Sequence, residues 1–346
     1  MRKMVLFLAI PFFLSAADEV DEYYTAEPVK TPEQIQQEIN ESELEFERAK
    51  KMFVPWYTGP LITPSPTMIP PGNLLLQPYV FVKDSYANYN SKRHSISGPS
   101  SINMNPLIAI QTGVTNNFDM LVIVQGNVNW RNNHSAGGFG DLVVSPGFLA
   151  YKQTRYAPQV KFFIQETFPT GKYQNLNPNG GGLDAVGAGS VQSQIGVIFG
   201  KVVFWQYSHP MNLRLSMGYT IPSRVTVNNF NAYGGGYGTK GIVYPGGTFG
   251  TDLGIEFSFT QRWVFALDVV YTTTGKTVFY GAPGVTAAGA PATVGSPSND
   301  NLSLAPAFEY NWSTDLGIIA GTQFSVYGRN SGNFVSGIVS LCWVYE

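Results

Sequence analysis

The sequence predicts an all-β protein: a transmembrane antiparallel up-and-down β-barrel of about twelve strands, preceded by a short N-terminal α-helix. Charge is scarce, at 13% of the 346 residues, against roughly 25% in soluble domains. Beyond the N-terminus, apolar and polar residues alternate, as in strands with one face toward lipid or core and the other toward water. No later run of about 18 apolar residues could form a spanning helix.

Residues 1–17 are typical of a signal peptide. Arg2 and Lys3 give a basic start, an apolar stretch runs from Met4 to Leu14, and small residues end at Ala17. About eleven apolar residues are too few to cross a bilayer, which favours cleavage over a membrane anchor. We therefore expect the protein to leave the cytoplasm.

Residues 18–71 are interpreted as an acidic helix and a Pro-rich linker in the periplasm. Eleven of the 23 acidic residues lie in residues 18–52. Thr31 is placed as an N-cap, Pro32 as the first helical residue and Gln34 at the capping-box position, which predicts a helix from Pro32 to about Met52. Three roles stay open: a solvated helix, a coil that joins copies into a homo-oligomer, or a plug for a pore.

Residues 72–346 carry the barrel pattern. The clearest pair of segments, 248–260 and 263–275, is joined by a tight turn at Thr260–Arg262. The other predicted strands lie near 73–83, 101–113, 119–131, 141–152, 159–169, 190–203, 211–221, 301–311, 316–328 and 334–345. Four prolines inside these strands, Pro78, Pro106, Pro146 and Pro306, predict bulges or displaced strand ends.

The connections alternate between short turns and long loops, as in single-chain outer-membrane barrels. The long loops, 84–100, 170–189, 222–247 and 276–300, are rich in Gly and polar residues and are expected to be flexible and external. The helix and the C-terminus would then face the periplasm of a Gram-negative cell, with outer-membrane lipids around the barrel. Aromatic residues near the predicted periplasmic strand ends indicate an interfacial girdle: Trp205, Tyr207, Trp263, Trp312, Trp343 and Tyr345.

The polar half of the alternating pattern would point into the lumen. Its charged members are Arg131, Lys161, Arg214, Asp252, Glu256, Asp268, Glu309 and Arg329. They are compatible with a salt-bridge ladder that fills a narrow barrel, and equally with a conduit whose selectivity they set.

Catalytic, metal, cofactor and nucleic-acid sites are not indicated. Outer-membrane phospholipases use a His and a Ser two positions apart on a strand, and that spacing is absent, since Ile96, Ala136 and Met211 follow the three histidines at that distance. One cysteine, Cys342, and three dispersed histidines make no metal cluster. A net charge of −2 gives no basic footprint for nucleic acid.

Three short motifs carry a family resemblance. They are Gly137–Leu142 leading to Pro146-Gly147, then Glu166–Tyr173 with its Pro-Thr-Gly, and Gly187–Ser190. In this order they resemble the outer-membrane proteins associated with phenol meta-pathway degradation, a likeness that covers roughly residues 72–346. The resemblance implies a porin-like barrel for passive transport of small, hydrophobic or aromatic molecules. The rival interpretation is a structural or surface-interaction barrel with a filled lumen and external binding loops.

Overall fold

The computed structural model describes residues 30–50, 53–154, 156–205 and 209–346, with the side chains of 45–50, 204 and 205 left aside. The chain divides into two compact units, one ending at Glu47 and one beginning at Arg48. The predicted signal peptide lies outside the described residues.

The single helix of the described ranges is α1, Pro32–Lys50, most of which lies in the N-terminal unit. It begins with the predicted capping box. The Thr31 backbone N–H donates to Gln34 Oε1 at 2.9 Å, and the Gln34 N–H donates to Thr31 Oγ1 at 3.3 Å. These two bonds satisfy N–H groups that the first helical turn leaves without partners. Within the described residues, no helix is long and apolar enough to cross a membrane.

The second unit is a closed antiparallel barrel. The strands of the described chain are β1 (Leu74–Tyr89), β2 (Ser95–Thr115), β3 (Phe118–Arg131), β4 (His134–Phe139), β5 (Leu142–Tyr151), β6 (Gln159–Phe168), β7 (Gln192–Trp205), β8 (His209–Pro222), β9 (Val225–Asn228), β10 (Lys240–Tyr244), β11 (Thr248–Ser258), β12 (Trp263–Thr274), β13 (Val278–Ala282), β14 (Asn299–Asn311), β15 (Leu316–Arg329) and β16 (Ser331–Tyr345). The first and last strands, β1 and β16, pair with each other, and the β2–β3 pairing completes the ring.

Twelve strands form this ring, as predicted. Both β4 and β5 pair with β3, one after the other, so together they make a single barrel strand interrupted at Gly140–Asp141. The strands β9, β10 and β13 belong to a separate three-stranded sheet. One end of the barrel, here the turn end, carries the short connections 116–117, 259–262 and 312–315, and the opposite loop end carries the long ones.

Side chains alternate between the two faces of the barrel wall. Along β12, Val264, Ala266 and Asp268 are fully buried inside, whereas Trp263 on the outer face is 49% exposed. The outer face of β14 likewise exposes Phe308. An apolar outer face with a polar or small-residue interior is the pattern of a barrel whose solvent is lipid.

The prediction of bulges at the strand prolines is wrong. Pro306 stands opposite Leu267 in an unbroken ladder to β12, while the ladder to β15 passes from Leu304 to Ala307 without a change of register. The same uninterrupted register spans Pro78, Pro106 and Pro146. A strand residue directs its N–H toward one neighbour only, so a proline removes a bond from one ladder and leaves the other intact.

The predicted loop 84–100 is also mostly strand. The strands β1 and β2 continue to Tyr89 and from Ser95, so only a short turn remains, and Arg93 adopts a φ of 67° within it. Where a hairpin extends beyond the lipid, both faces meet water and the alternation of hydrophobicity fades although the hydrogen bonds continue. Sequence periodicity therefore ends before the strands do.

The long connections at the loop end are packed rather than flexible. The β9–β10–β13 sheet buries Val225, Val227 and Val243 under the rings of Tyr173 and Tyr233. The predicted flexible stretch Gly234–Gly236 is held by hydrogen bonds, including Gly235 N–H to the Thr293 carbonyl at 2.9 Å. A small apolar core thus stabilises a cap of loops over one end of the barrel.

The three motifs that carry the family resemblance meet at one point of this cap. The Asp141 carboxylate accepts hydrogen bonds from Gly171 N–H at 2.9 Å and Ala188 N–H at 2.8 Å. A Cβ on Gly187 would lie 2.5 Å from Asp141 Oδ1, so the glycine is required by close approach. The motifs hold the connection between β6 and β7 onto the interrupted strand β4–β5.

Replacing Asp141 with Ala should release this connection. Each hydrogen bond to a charged group contributes about 1.5–3 kcal/mol, and both amides would lose their acceptor. We expect much faster hydrogen exchange at Gly171 and Ala188 in Asp141→Ala, and a smaller change in Asp141→Asn, which keeps one acceptor oxygen. Unchanged exchange in the alanine variant would contradict a fastening role for Asp141.

Candidate functional site

The lumen contains a segment of the protein's own chain. Residues 53–72, here called the strap, enter at the turn end, where the Trp56 N–H donates to the Gln261 carbonyl at 3.2 Å. The Thr58 N–H donates to Glu309 Oε2 at 2.9 Å, and the Thr58 hydroxyl contacts Asn311 Oδ1 at 2.8 Å. The stretch predicted as a linker therefore occupies the barrel interior.

The strap reaches its deepest anchor at Asp268, in the middle of β12. This carboxylate accepts three hydrogen bonds, from Ile62 N–H at 3.3 Å, Thr63 N–H at 3.0 Å and Thr63 Oγ1 at 2.6 Å. Asp268 is fully buried. A buried carboxylate is costly unless hydrogen bonds replace its water, and the strap supplies them.

Apolar packing supports these bonds. Leu61 is 2% exposed and lies among Ala266, Ala305, Ala307 and Ile319. Burying a leucine side chain contributes about 1.5–3 kcal/mol. The small side chains of β12 and β14 leave the space that Leu61 fills.

Glycines on other strands give the strap room to pass. A Cβ on Gly254 would lie 2.8 Å from Pro60 Cγ, and one on Gly200 would lie 2.5 Å from Pro66 Cγ. After Pro66, whose carbonyl accepts a bond from Gln159 Nε2 at 2.8 Å, the strap returns to the turn end beside Gly113. It thus forms a loop within the turn-end half of the lumen.

Two buried ion pairs line the wall near the strap. Lys161 Nζ lies 2.6 Å from Asp119 Oδ2. Arg214 contacts Glu256 through Nε at 2.9 Å and Nη2 at 3.3 Å. All four side chains are at most 7% exposed. Excellent geometry is needed to offset the cost of removing both charges from water.

The tyrosine of the strap stays neutral beside these charges. Burial raises the pKa of the Tyr57 hydroxyl above its usual value, and the nearby Glu256 and Glu309 carboxylates raise it further. A tyrosine that does not ionise at physiological pH adds no charge to this crowded part of the lumen.

A cavity of about 810 Å³ remains between the strap and the wall formed by β1–β3, β5–β8, β11 and the end of β16. Its apolar lining includes Tyr79, Phe81, Leu121 and Phe163. Asp119, Lys161, Arg214 and Asp252 contribute its charged groups. The volume falls within the roughly 300–1,000 Å³ typical of small-molecule sites.

The structure divides the eight predicted lumen residues into three groups. Lys161, Arg214 and Asp252 line the cavity, while Glu256, Asp268 and Glu309 are fully buried. Arg131 and Arg329 lie at the loop end, where Arg131 Nη2 donates to the Gly181 carbonyl at 2.8 Å and Arg329 Nε to Asp300 Oδ2 at 3.0 Å. The last two hold loops and do not border the cavity.

The loop-end half of the lumen has a polar character. A second cavity of about 490 Å³ lies between the wall residues Asn103, Gln125 and Asn127 and the β6–β7 connection. Asn129 Nδ2 donates to the Leu183 carbonyl at 2.7 Å, which joins that connection to β3.

The structure describes the side chains of four of the six predicted girdle residues. Trp263, Trp312, Trp343 and Tyr345 are 45–59% exposed at the turn end. Tyr310 packs between Trp263 and Trp312, with ring centroids 4.8 and 5.3 Å away. Tyr207 and the side chain of Trp205 lie outside the described residues. Placement of these rings in a membrane interface stays a prediction.

Sequence reasoning missed the strap, although it placed the two carboxylates that bind the strap, Asp268 and Glu309, in the lumen. One signal was available: residues 53–72 contain no charged residue, which is unusual for a solvated linker. Asp119 was also missed, because an isolated acid at a strand end does not reveal its partner on β6. Among the described residues, no group of three or more His, Cys, Asp or Glu side chains could hold a metal ion.

These features define the class as an outer-membrane-type β-barrel with an occupied lumen. A crystal structure of an outer-membrane channel from Pseudomonas putida F1 is similar, with a TM-score of 0.61 and 11% identity over 80% of this chain and 97% of that chain. The translocator domain of the autotransporter NalP from Neisseria meningitidis gives 0.43 and 9% over 89% and 97%.

A TodX monoaromatic hydrocarbon channel mutant gives a TM-score of 0.34 and 10% identity over 79% of this chain and 91% of that chain. The shared fold rests on the first of these three structures, because scores below 0.5 do not define a common fold. No protein-family model and no curated protein matches the chain.

Substituting Asp268 with Ala should loosen the strap, because Ile62 and Thr63 lose their common acceptor. Hydrogen exchange at these two amides should accelerate by at least tenfold, the effect of about 1.4 kcal/mol. Asp252→Ala is the matched control. It also removes a carboxylate, from the neighbouring strand β11, but among the described residues Asp252 makes no bond to the strap. Equal exchange in both variants and the parent protein would show that Asp268 does not hold the strap.

Proposed function

We propose that this protein is an outer-membrane channel for the passive uptake of small molecules, with its path running beside the strap. The observation that carries the proposal is the cavity of about 810 Å³ left in the turn-end half of a lumen that the strap otherwise occupies. A barrel filled only for stability would close such a space, because interiors pack at crystal-like density.

The lining favours solutes with an apolar body. Tyr79, Phe81, Leu107 and Phe163 face the cavity from three strands, while Gln165 and Gln194 supply hydrogen-bonding groups. Convergent polar groups on a mainly apolar wall are typical of small-molecule sites. The resemblance to the phenol meta-pathway proteins points toward the same class, small hydrophobic or aromatic compounds.

The proposed location is the outer membrane, with the turn end toward the periplasm and the loop cap outside. The fold shared with the Pseudomonas channel, the apolar outer face and the exposed tryptophans at the turn end support it. Selectivity would then arise from the width left beside the strap, the charges of the lining and the packed loops.

Filling the cavity tests the proposal. Ser216 lines it on β8, and the adjacent Leu215 faces the other side of the wall. In planar bilayers, Ser216→Trp should reduce single-channel conductance by at least half, because the indole occupies the path, whereas Leu215→Trp should leave conductance unchanged. A heat-modifiable gel shift establishes that both variants are folded. Equal conductance in all three proteins would remove the path from this cavity.

A second function, a structural or surface-interaction barrel, is favoured by the strap and the packed loop cap, which both reduce the open lumen. The full chain and a variant lacking residues 18–52 distinguish the two. Discrete conductance steps in the full chain support the channel. Conductance only in the shortened variant would make α1 a plug, and a folded protein without conductance in either form would favour the structural role.

A further inference from the structure

We infer that the cavity beside the strap is a site for organic ammonium ions with an aromatic or other apolar body, and that Asp252 is the residue that selects them. This inference rests on the proposed channel function and names its substrate class. It follows from the state of the carboxylates in the lumen and from what surrounds Asp252.

Asp252 differs from its acidic neighbours in having no partner. Among the described residues, no donor lies within hydrogen-bonding distance of its carboxylate and no cation forms an ion pair with it. Asp252 borders the cavity and is half-buried. A partly desolvated carboxylate that faces open space is available to a donor brought by a solute.

The other carboxylates of this region are already engaged. Asp119 pairs with Lys161, and Glu256 pairs with Arg214. Asp268 and Glu309 accept bonds from strap amides. The two cations of the lining are thus paired, and the ionised form of Asp252 adds a negative charge that no described cation balances. An anionic solute would be repelled, whereas a cation would gain a partner.

Much of the remaining lining is apolar and aromatic. Tyr79 and Phe81 project from β1, and Phe163 projects from β6, into the same cavity as Asp252. An aromatic ring can pack on such surfaces, and ring faces also attract cations. A metal ion requires several protein ligands, and the cavity offers one unpaired carboxylate. An ammonium group needs fewer fixed acceptors, so a single carboxylate suits it better.

Further polar groups line the same cavity. Ser216 stands opposite Asp252 in the β8–β11 ladder and borders the cavity, as do Gln165 and Gln194. The Ser216 hydroxyl, directly across from Asp252, can accept a further ammonium proton. Lys83 also lies on β1 but does not line the cavity. Its Nζ lies 5.6 Å from the centroid of the Phe334 ring.

Three compounds with the same ring test the charge requirement: benzylamine, benzyl alcohol and benzoate at pH 7. Each is added to the full-length protein in planar bilayers, and the concentration that halves the potassium current is measured. We expect benzylamine to act at the lowest concentration. In Asp252→Asn that concentration should rise about tenfold, as expected for loss of a charged hydrogen-bond acceptor, with no change for benzyl alcohol.

Two variants serve as controls. Asp252→Glu keeps the charge and should retain the preference for benzylamine. Glu166→Gln removes a carboxylate next to Gln165 on β6, on the face away from the cavity, where Glu166 accepts a bond from the Ser193 hydroxyl at 2.9 Å, and it should behave like the parent protein. A heat-modifiable gel shift verifies that each variant is folded.

The outcomes separate this inference from the channel proposal. A conducting protein that shows equal sensitivity to the three compounds, or the same benzylamine sensitivity in Asp252→Asn, overturns the ammonium site and leaves the channel intact. A folded protein without conductance overturns the channel. Calorimetric titration with benzylamine then decides the site alone: binding lost in Asp252→Asn supports it, and absent or unchanged binding rejects it.

Discussion

The hydrogen bonds between the strap and the carboxylates of the barrel wall govern the arrangement of the lumen. Asp268 and Glu309 are fully buried, so each needs donors that water cannot supply there. Backbone N–H groups of Thr58, Ile62 and Thr63 provide them. The strap in turn cannot form a strand or helix without giving up these bonds. Strap amides and wall carboxylates therefore satisfy each other, although the Tyr57 hydroxyl and Glu309 Oε1 stay buried without a hydrogen-bond partner among the described residues.

This mutual satisfaction determines where open space remains. Leu61 and the Asp268 bonds draw the first half of the strap toward β12, β14 and β15, and the cavity lies mainly against β1–β3, β5–β8 and β11. Because the remaining charges there are paired except for Asp252, the path proposed for solutes is apolar with a single negative group. Selectivity thus follows from the positions of the strap anchors.

The two ends of the barrel differ in how their connections are built. At the turn end, the connections are short, aromatic rings are exposed, and the strap enters the lumen. At the loop end, Asp141 and the Val225, Val227 and Val243 core convert long, glycine-rich connections into a packed cap. The motifs that carry the family resemblance therefore hold the loops in place. The residues proposed to contact solutes lie elsewhere, on the lumen face of the strands.

The sequence by itself determined the barrel, because alternation is a local property: side chains on a strand must point to opposite faces, and Trp263, Val264 and Ala266 show which face is which. It also determined the cap of α1, whose Thr31 and Gln34 lie three residues apart. Only the tertiary structure decided which charges meet. Asp119 and Lys161 are 42 residues apart, and Thr63 and Asp268 are 205 apart. Barrel closure and register, not proximity in sequence, bring such groups together, so the division of the predicted lumen charges into pairs, strap anchors and one free carboxylate could not be foreseen.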